Sequence, residues 1–138
     1  MKKGYYIDTS IWMDLYENRK GYDNEPLGDF AYYLFSSIMR ENDHIIISDV
    51  VIQELENYYT IEEINGMMKL FERAIEKCIA QTRQCDEARY LAEKRDVPRG
   101  DALHAILARD NHFILISRDN DFRKLDDVAR HYKPEELI

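Results

Sequence analysis

Four carboxylates, Asp8, Glu54, Asp101 and Asp119, stand in this sequence where a parallel α/β sheet would gather them at one edge. Asp8 closes the apolar run Tyr5-Tyr6-Ile7, and Asp119 follows Phe113-Ile114-Leu115-Ile116 after only Ser117-Arg118. Glu54 and Asp101 fall near the starts of two helices that the sequence predicts. Clustered carboxylates repel one another and lose solvation, so they need a counter-charge. A hard divalent cation held by oxygens is the usual one. Magnesium and manganese prefer carboxylate and water oxygens. A two-metal site lowers the pKa of an attacking water and neutralises the leaving oxygen of a phosphodiester. Metal-assisted hydrolysis is therefore the chemistry to which these residue types point.

Each acid alone has an ordinary explanation. An Asp after a strand commonly caps a helix or turns the chain, and a lone Glu54 reads as a solvent-facing helix residue. Asp101, beside Gly100, reads as a first-turn charge favoured by the helix dipole. The neighbours weigh against this: Val50, Val51, Ile52 and Leu55 surround Glu54, and Ala102 and Leu103 follow Asp101. Thr9 and Ser10 stand where a hydroxyl would support a ligand carboxylate or a metal-bound water, with N-capping the competing role for Ser10. Asp121 is a fifth acid, either a supporting partner or the N-cap of a terminal helix. His104 lies three residues after Asp101 and shares its helix face. With no second histidine at ligand spacing, it reads as a partly buried, hydrogen-bonded side chain.

The elements that must position these groups are legible in outline. Tyr5–Ile7, His44–Ile47 and Phe113–Ile116 read as buried strands, and residues 128–132 as an edge strand. Ser10 is expected to cap a helix carrying Ile11, Trp12 and Leu15, and Ser48-Asp49 to cap a helix from Val50 to about Tyr59. Residues 17–28, with Gly21, Pro26 and Gly28, read as a loop before a helix carrying Phe30, Tyr33, Leu34, Ser37 and Ile38. The spacing of Ile61, Ile64, Met68, Phe71, Ile75, Cys78 and Ile79 predicts one long helix ending before Thr82. Further helices are predicted around Ala88, Leu91 and Ala92, over Gly100–Arg109, and from Asp121 to Leu125. Continuous isoleucine runs alternating with helices indicate an α/β domain whose parallel sheet is covered on both faces. In open sheets of this kind ligands bind outside the carboxyl ends of the strands, where Asp8 and Asp119 fall.

A chain of 138 residues is one domain, spanned here by 1–138, and it can bury a substantial core. With 45% hydrophobic and 33% charged residues, it is not a disordered chain. No apolar run is long enough to span a bilayer, and Met1-Lys2-Lys3 leads straight into a strand without a signal-peptide core. A cytoplasmic protein without membrane association is the expectation. Cys78 and Cys85 have no zinc spacing and read as buried thiols. The 19 basic and 27 acidic residues give a net charge of −8, the wrong sign for a general nucleic-acid binder. Contact with phosphate must then come from metal and a local basic patch. Arg95, Arg99, Arg118, Arg123 and Lys124 are its candidates, Arg95 and Lys124 reading rather as solvated. Arg118 or Arg99 is placed by its sequence position to steady a phosphate.

Other reaction classes lack their residues. Five scattered glycines make no phosphate loop, and there is no Gly-x-Ser-x-Gly elbow. A haloacid-dehalogenase phosphatase would share the acidic strand end, but Ser10 occupies the position where that pattern needs a second Asp.

Four segments in this order, Tyr6-Ile7-Asp8-Thr9-Ser10, residues 48–55 (Ser-Asp-Val-Val-Ile-Gln-Glu-Leu), Gly100-Asp101-Ala102-Leu103-His104-Ala105 and Ile116-Ser117-Arg118-Asp119-Asn120-Asp121-Phe122, resemble those of PIN-domain ribonucleases. The toxins of VapBC-type toxin–antitoxin pairs are the most similar, and the resemblance runs through essentially the whole chain. It implies a three-layer α/β/α sandwich around a central parallel sheet, with Asp8, Glu54, Asp101 and Asp119 as both catalytic and metal-binding residues. It also implies Mg2+ or Mn2+ as cofactor, an RNA substrate cut endonucleolytically, a homodimer and a cognate antitoxin protein. PIN proteins in RNA processing and inactive PIN scaffolds are the alternatives, as is a structure-specific DNA nuclease with the same site.

Overall fold

The fold is that of a computed structural model, which describes residues 2–138. Its strands are β1 (Gly4–Ile7), β2 (His44–Ser48), β3 (Ile75–Cys78), β4 (Ile114–Ile116) and β5 (His131–Tyr132). They form one sheet in the order β3-β2-β1-β4-β5, with every pairing parallel. Successive strand residues point to opposite faces. Tyr6 and Ile7, Ile45 to Ile47, and Leu115 and Ile116 are all buried, so helices cover both faces. The expected α/β architecture with a central parallel sheet is the one observed.

The helices are α1 (Thr9–Glu17), α2 (Leu27–Arg40), α3 (Asp49–Glu56), α4 (Ile61–Lys69), α5 (Thr82–Arg95) and α6 (Arg99–Asn111). Trp12 of α1 meets Phe35 of α2 edge-on at 4.9 Å, and Phe35 meets Phe71 at 5.1 Å, the geometry aromatic quadrupoles prefer. On the opposite side Tyr6 of β1 lies against His104 of α6, ring centroids 5.5 Å apart. Ser48 caps α3 as expected, accepting a hydrogen bond from the Val51 amide.

Several expectations are corrected. The long helix predicted through Ile79 ends at Lys69; a short 3-10 turn, Glu72–Ala74, then leads into β3. Glu76 and Lys77 on this edge strand guard it against further pairing, and their polarity disguises it as the wet face of a helix. Cys78 is therefore a strand residue, and both cysteines are free and half-buried. Asp8, not Ser10, caps α1. Glu54 lies in the last turn of its helix, not near its start. The edge strand expected over 128–132 is confined to its last two residues. No helix among the described residues is long and apolar enough to cross a membrane.

Candidate metal centre

The sheet register does the first positioning. Ile7 of β1 pairs with Ile116 of β4, and the next residues, Asp8 and Ser117, emerge side by side at the carboxyl edge. The Asp8 amide donates to the Ile116 carbonyl (3.0 Å), which holds the two exits together. Ser117 then joins the acids: its hydroxyl donates to Asp8 Oδ2 (2.8 Å) and accepts from the Asp119 amide (3.0 Å). Asp8 Oδ2 also accepts from Ser10 Oγ (3.0 Å), and Oδ1 from the Thr9 amide (2.8 Å). Asp8 is 5% exposed yet fully hydrogen-bonded, which is what keeps a buried carboxylate tolerable.

Glu54 reaches the same edge from α3. Its Oε1 accepts from the Thr9 hydroxyl and from His104 Nε2 (2.8 Å). Burial pushes Glu54 up, but the His104 hydrogen bond and charge and the Thr9 hydroxyl outweigh it and leave its pKa below the usual value. Asp101 enters in the first turn of α6, behind Pro98. It is the strained member. Burial first, then the Asp119 and Asp8 charges, push its pKa up to about 8.

Asp101 Oδ2 is buried and has no hydrogen-bond partner. Carboxylate oxygens of Asp101, Asp119 and Asp121 lie within 4.8 Å of one another, and so do the ligand atoms of Asp8, Glu54 and His104. A partnerless oxygen among other carboxylates is an arrangement that a divalent cation satisfies, and a donor set dominated by carboxylate oxygens suits magnesium or manganese. The residues present fit the ion. A cleft of about 360 Å³ opens onto them, lined by Asp8, Thr9, Ser10, Met13, Glu54, Asn57, Tyr58, Asp101 and Asp119. A larger hollow of about 420 Å³ between α4 and β3 gathers no acidic group beyond Glu72, so volume alone does not mark the site.

The fold around these acids has counterparts among solved proteins. A VapBC2 structure from Rickettsia felis, bound to a DNA fragment from its promoter, is similar at 17% identity, TM-score 0.69, covering 94% of this chain and 98% of that one. PAE2754 from Pyrobaculum aerophilum is similar at 18% identity and TM-score 0.61, covering 99% and 95%. A toxin–antitoxin complex from Klebsiella pneumoniae is similar at 17% identity and TM-score 0.61, covering 94% and 97%. At such identities the likeness speaks for the fold alone. Among curated proteins there is no match. The sequence model of the PIN domain matches residues 5–128. The chain belongs to the PIN-domain family.

The sequence-predicted acids of this PIN domain thus converge, and Asp121 joins them. Asp121 is not the terminal helix cap: Asp119 caps the 3-10 helix Asn120–Leu125 by accepting from the Asp121 amide (2.9 Å). Thr9 hydrogen-bonds Asp8 through its amide and Glu54 through its hydroxyl, and Ser10 hydrogen-bonds Asp8. Arg118 is committed elsewhere, paired with both Glu135 oxygens (2.6 and 2.8 Å) and 3.5 Å from Asp14. Arg95 pairs with Asp127, and Lys124 donates to the Asp96 carbonyl. Exposed Arg99 and Arg123 make no ion pair among the described residues. Ser117 and Tyr6 escaped sequence reasoning as site residues, and Ser48 was read only as the cap of α3, because their contacts with the acids and with His104 cross long stretches of sequence.

Gly100 marks a close approach. A Cβ built there would sit 2.5 Å from Glu54 Oε2. Because Oε1 is held on two sides, the carboxylate has little room to retreat. Gly100→Ala is expected to weaken Mn2+ binding ~10-fold or more, the scale on which displaced ligand supports act. Calorimetric titration checks it, and unchanged affinity would mean that Glu54 yields freely.

Proposed function

We propose that this PIN domain is a Mg2+- or Mn2+-dependent endoribonuclease and the toxin of a type II toxin–antitoxin pair, with RNA as substrate and a cognate antitoxin as partner. The observation that carries the nuclease reading is the convergence of Asp8, Glu54, Asp101 and Asp119 around a buried, partnerless Asp101 oxygen. These four would hold the cation. When bound, it supplies Lewis acidity, which activates water and offsets charge at a phosphodiester.

The chain's own residues divide the remaining work. Asp8 and Glu54 are pre-oriented by Thr9, Ser10 and Ser117, so little ordering is left for the moment of binding. Asp101 and Asp119 complete the acidic wall, with Asp121 beside them. Arg99, exposed two residues before Asp101 and free of ion pairs among the described residues, is better placed than Arg118 to meet a phosphate. With a net charge of −8, the protein binds a polyanion through the cation and such local positive charge, not through its overall field.

The toxin reading is supported by likeness to VapBC2 and to the Klebsiella complex. Homodimerisation is part of the same proposal. Labelled RNA and DNA incubated side by side with Mn2+, Mg2+ or chelator test the activity. Internal cuts in RNA that require metal are expected. Cleavage of DNA alone would reassign the substrate, and cleavage of neither would leave a PIN-fold binding scaffold. Growth arrest on expression, relieved by the product of an adjacent reading frame, would support the toxin reading.

A further inference from the structure

His104 is the one fully buried imidazole, and the proposed chemistry gives it no task. Its two nitrogens are both engaged. Nδ1 lies 2.6 Å from the Tyr6 hydroxyl, which lies 2.6 Å from Ser48 Oγ, and Ser48 in turn accepts from the Val51 amide. Nε2 lies 2.8 Å from Glu54 Oε1 and 3.7 Å from Asp8 Oδ1. The chain of contacts starts at the N-cap of α3, crosses β1 and α6, and returns to α3 at Glu54.

Hydrogen-bond accounting fixes what Nε2 carries. Were it a bare lone pair, it would face an anionic oxygen at hydrogen-bonding distance with no proton between them. Nε2 therefore bears a hydrogen and donates, whichever way the Tyr6 and Ser48 hydroxyls turn. A nitrogen that donates to Glu54 cannot also ligate a metal. A side chain with no exposed surface does not touch RNA either.

We infer that His104 is a positioning residue for Glu54. It donates to Oε1 and, through Tyr6 and Ser48, ties the carboxylate to the start of the helix that carries it. No hydrogen bond among the described residues reaches Oε2, which is left as the oxygen available to a cation. The inference deepens the proposed function and rests on it, because positioning matters only if Glu54 holds metal.

The test is Mn2+ affinity by calorimetry, with metal-free thermal unfolding measured in parallel. His104→Leu keeps the volume and removes the donor; His104→Gln restores an N–H near the position of Nε2. The expected result is a ~10–100-fold loss of Mn2+ affinity in His104→Leu, the scale reported for residues that orient ligands, and recovery of most of it in His104→Gln. Equal affinity in native and both variants, with only thermal stability lowered, would overturn the inference. Pulsed electron paramagnetic resonance of the native Mn2+-loaded protein keeps the inference open to refutation even if the variants fail to fold. No coupling from a directly bound imidazole nitrogen is expected, and its detection would make His104 a ligand. A native protein that binds no Mn2+ would overturn the proposed function as well. Native binding that is indifferent to His104 overturns only this step.

Discussion

Replacing Asp101 with asparagine is expected to make the metal-free protein more stable at pH 8 and to abolish cleavage. The two effects share one cause. The unfolded chain releases the Asp101 proton near 3.8, whereas the folded chain keeps it until about 8. Between those values the native state binds the extra proton, so raising the pH withdraws stability across the window and the loss is complete above about 8. Carboxylates held below their usual range, such as Glu54 and Glu135, act in the opposite sense. Their contribution is already in place above about pH 5. The difference between native and Asp101→Asn curves from pH 5 to 8 therefore reports Asp101 together with buried His104, whose pKa the Asp101 charge helps to raise, and it should widen with pH to on the order of a few kcal/mol. Thermal unfolding at several pH values in chelator measures it. Added Mn2+ should raise the native melting temperature and leave the variant nearly unmoved. Curves that stay parallel throughout the window would show that Asp101 is not burdened as described.

Asp8→Asn should lower the RNA cleavage rate by more than ~100-fold while leaving the fold intact. Asparagine is as good an N-cap as aspartate, so α1 keeps its start and the Thr9 amide keeps its acceptor. The Ser10 and Ser117 hydroxyls, which donate to Asp8 Oδ2, can rotate to accept from an amide instead. Stability should thus change by no more than ~1 kcal/mol. What is lost is a negative charge toward the cation, and residues that merely orient ligands already cost ~10–100-fold when removed. Asp8→Ala would lose the cap as well, at about 1 kcal/mol. Native-like melting with cleavage within tenfold of native would remove Asp8 from the site.

The four acids were legible because Asp8 and Asp119 come just after strands, Glu54 lies in the helix that follows β2 and Asp101 opens the helix that leads into β4, so one edge of the parallel sheet collects them. The strands β1, β2 and β4 announced themselves as isoleucine- and tyrosine-rich runs. The edge strand β3 did not: with Glu76 and Lys77 in its middle, only its pairing with β2 makes it a strand. Tertiary pairing outweighed the helical period there. The supporting groups were hidden for a related reason. Ser117 touches Asp8 across 109 residues, and Tyr6 touches His104 across 98, so no local pattern encodes either contact. Arg118 looked like a phosphate contact through its nearness to Asp119, until Glu135 and Asp14 appeared as its partners. Charge in the sequence locates a side chain's neighbours along the chain, not its counter-ions in space.

Anomalous scattering from a crystal soaked in Mn2+ shows where the cation sits. A strong peak bounded by Asp8, Glu54, Asp101 and Asp119 is expected, absent from an Asp8→Asn crystal soaked alike. Manganese bound only at other surfaces, with these carboxylates surrounded by water alone, would contradict this expectation.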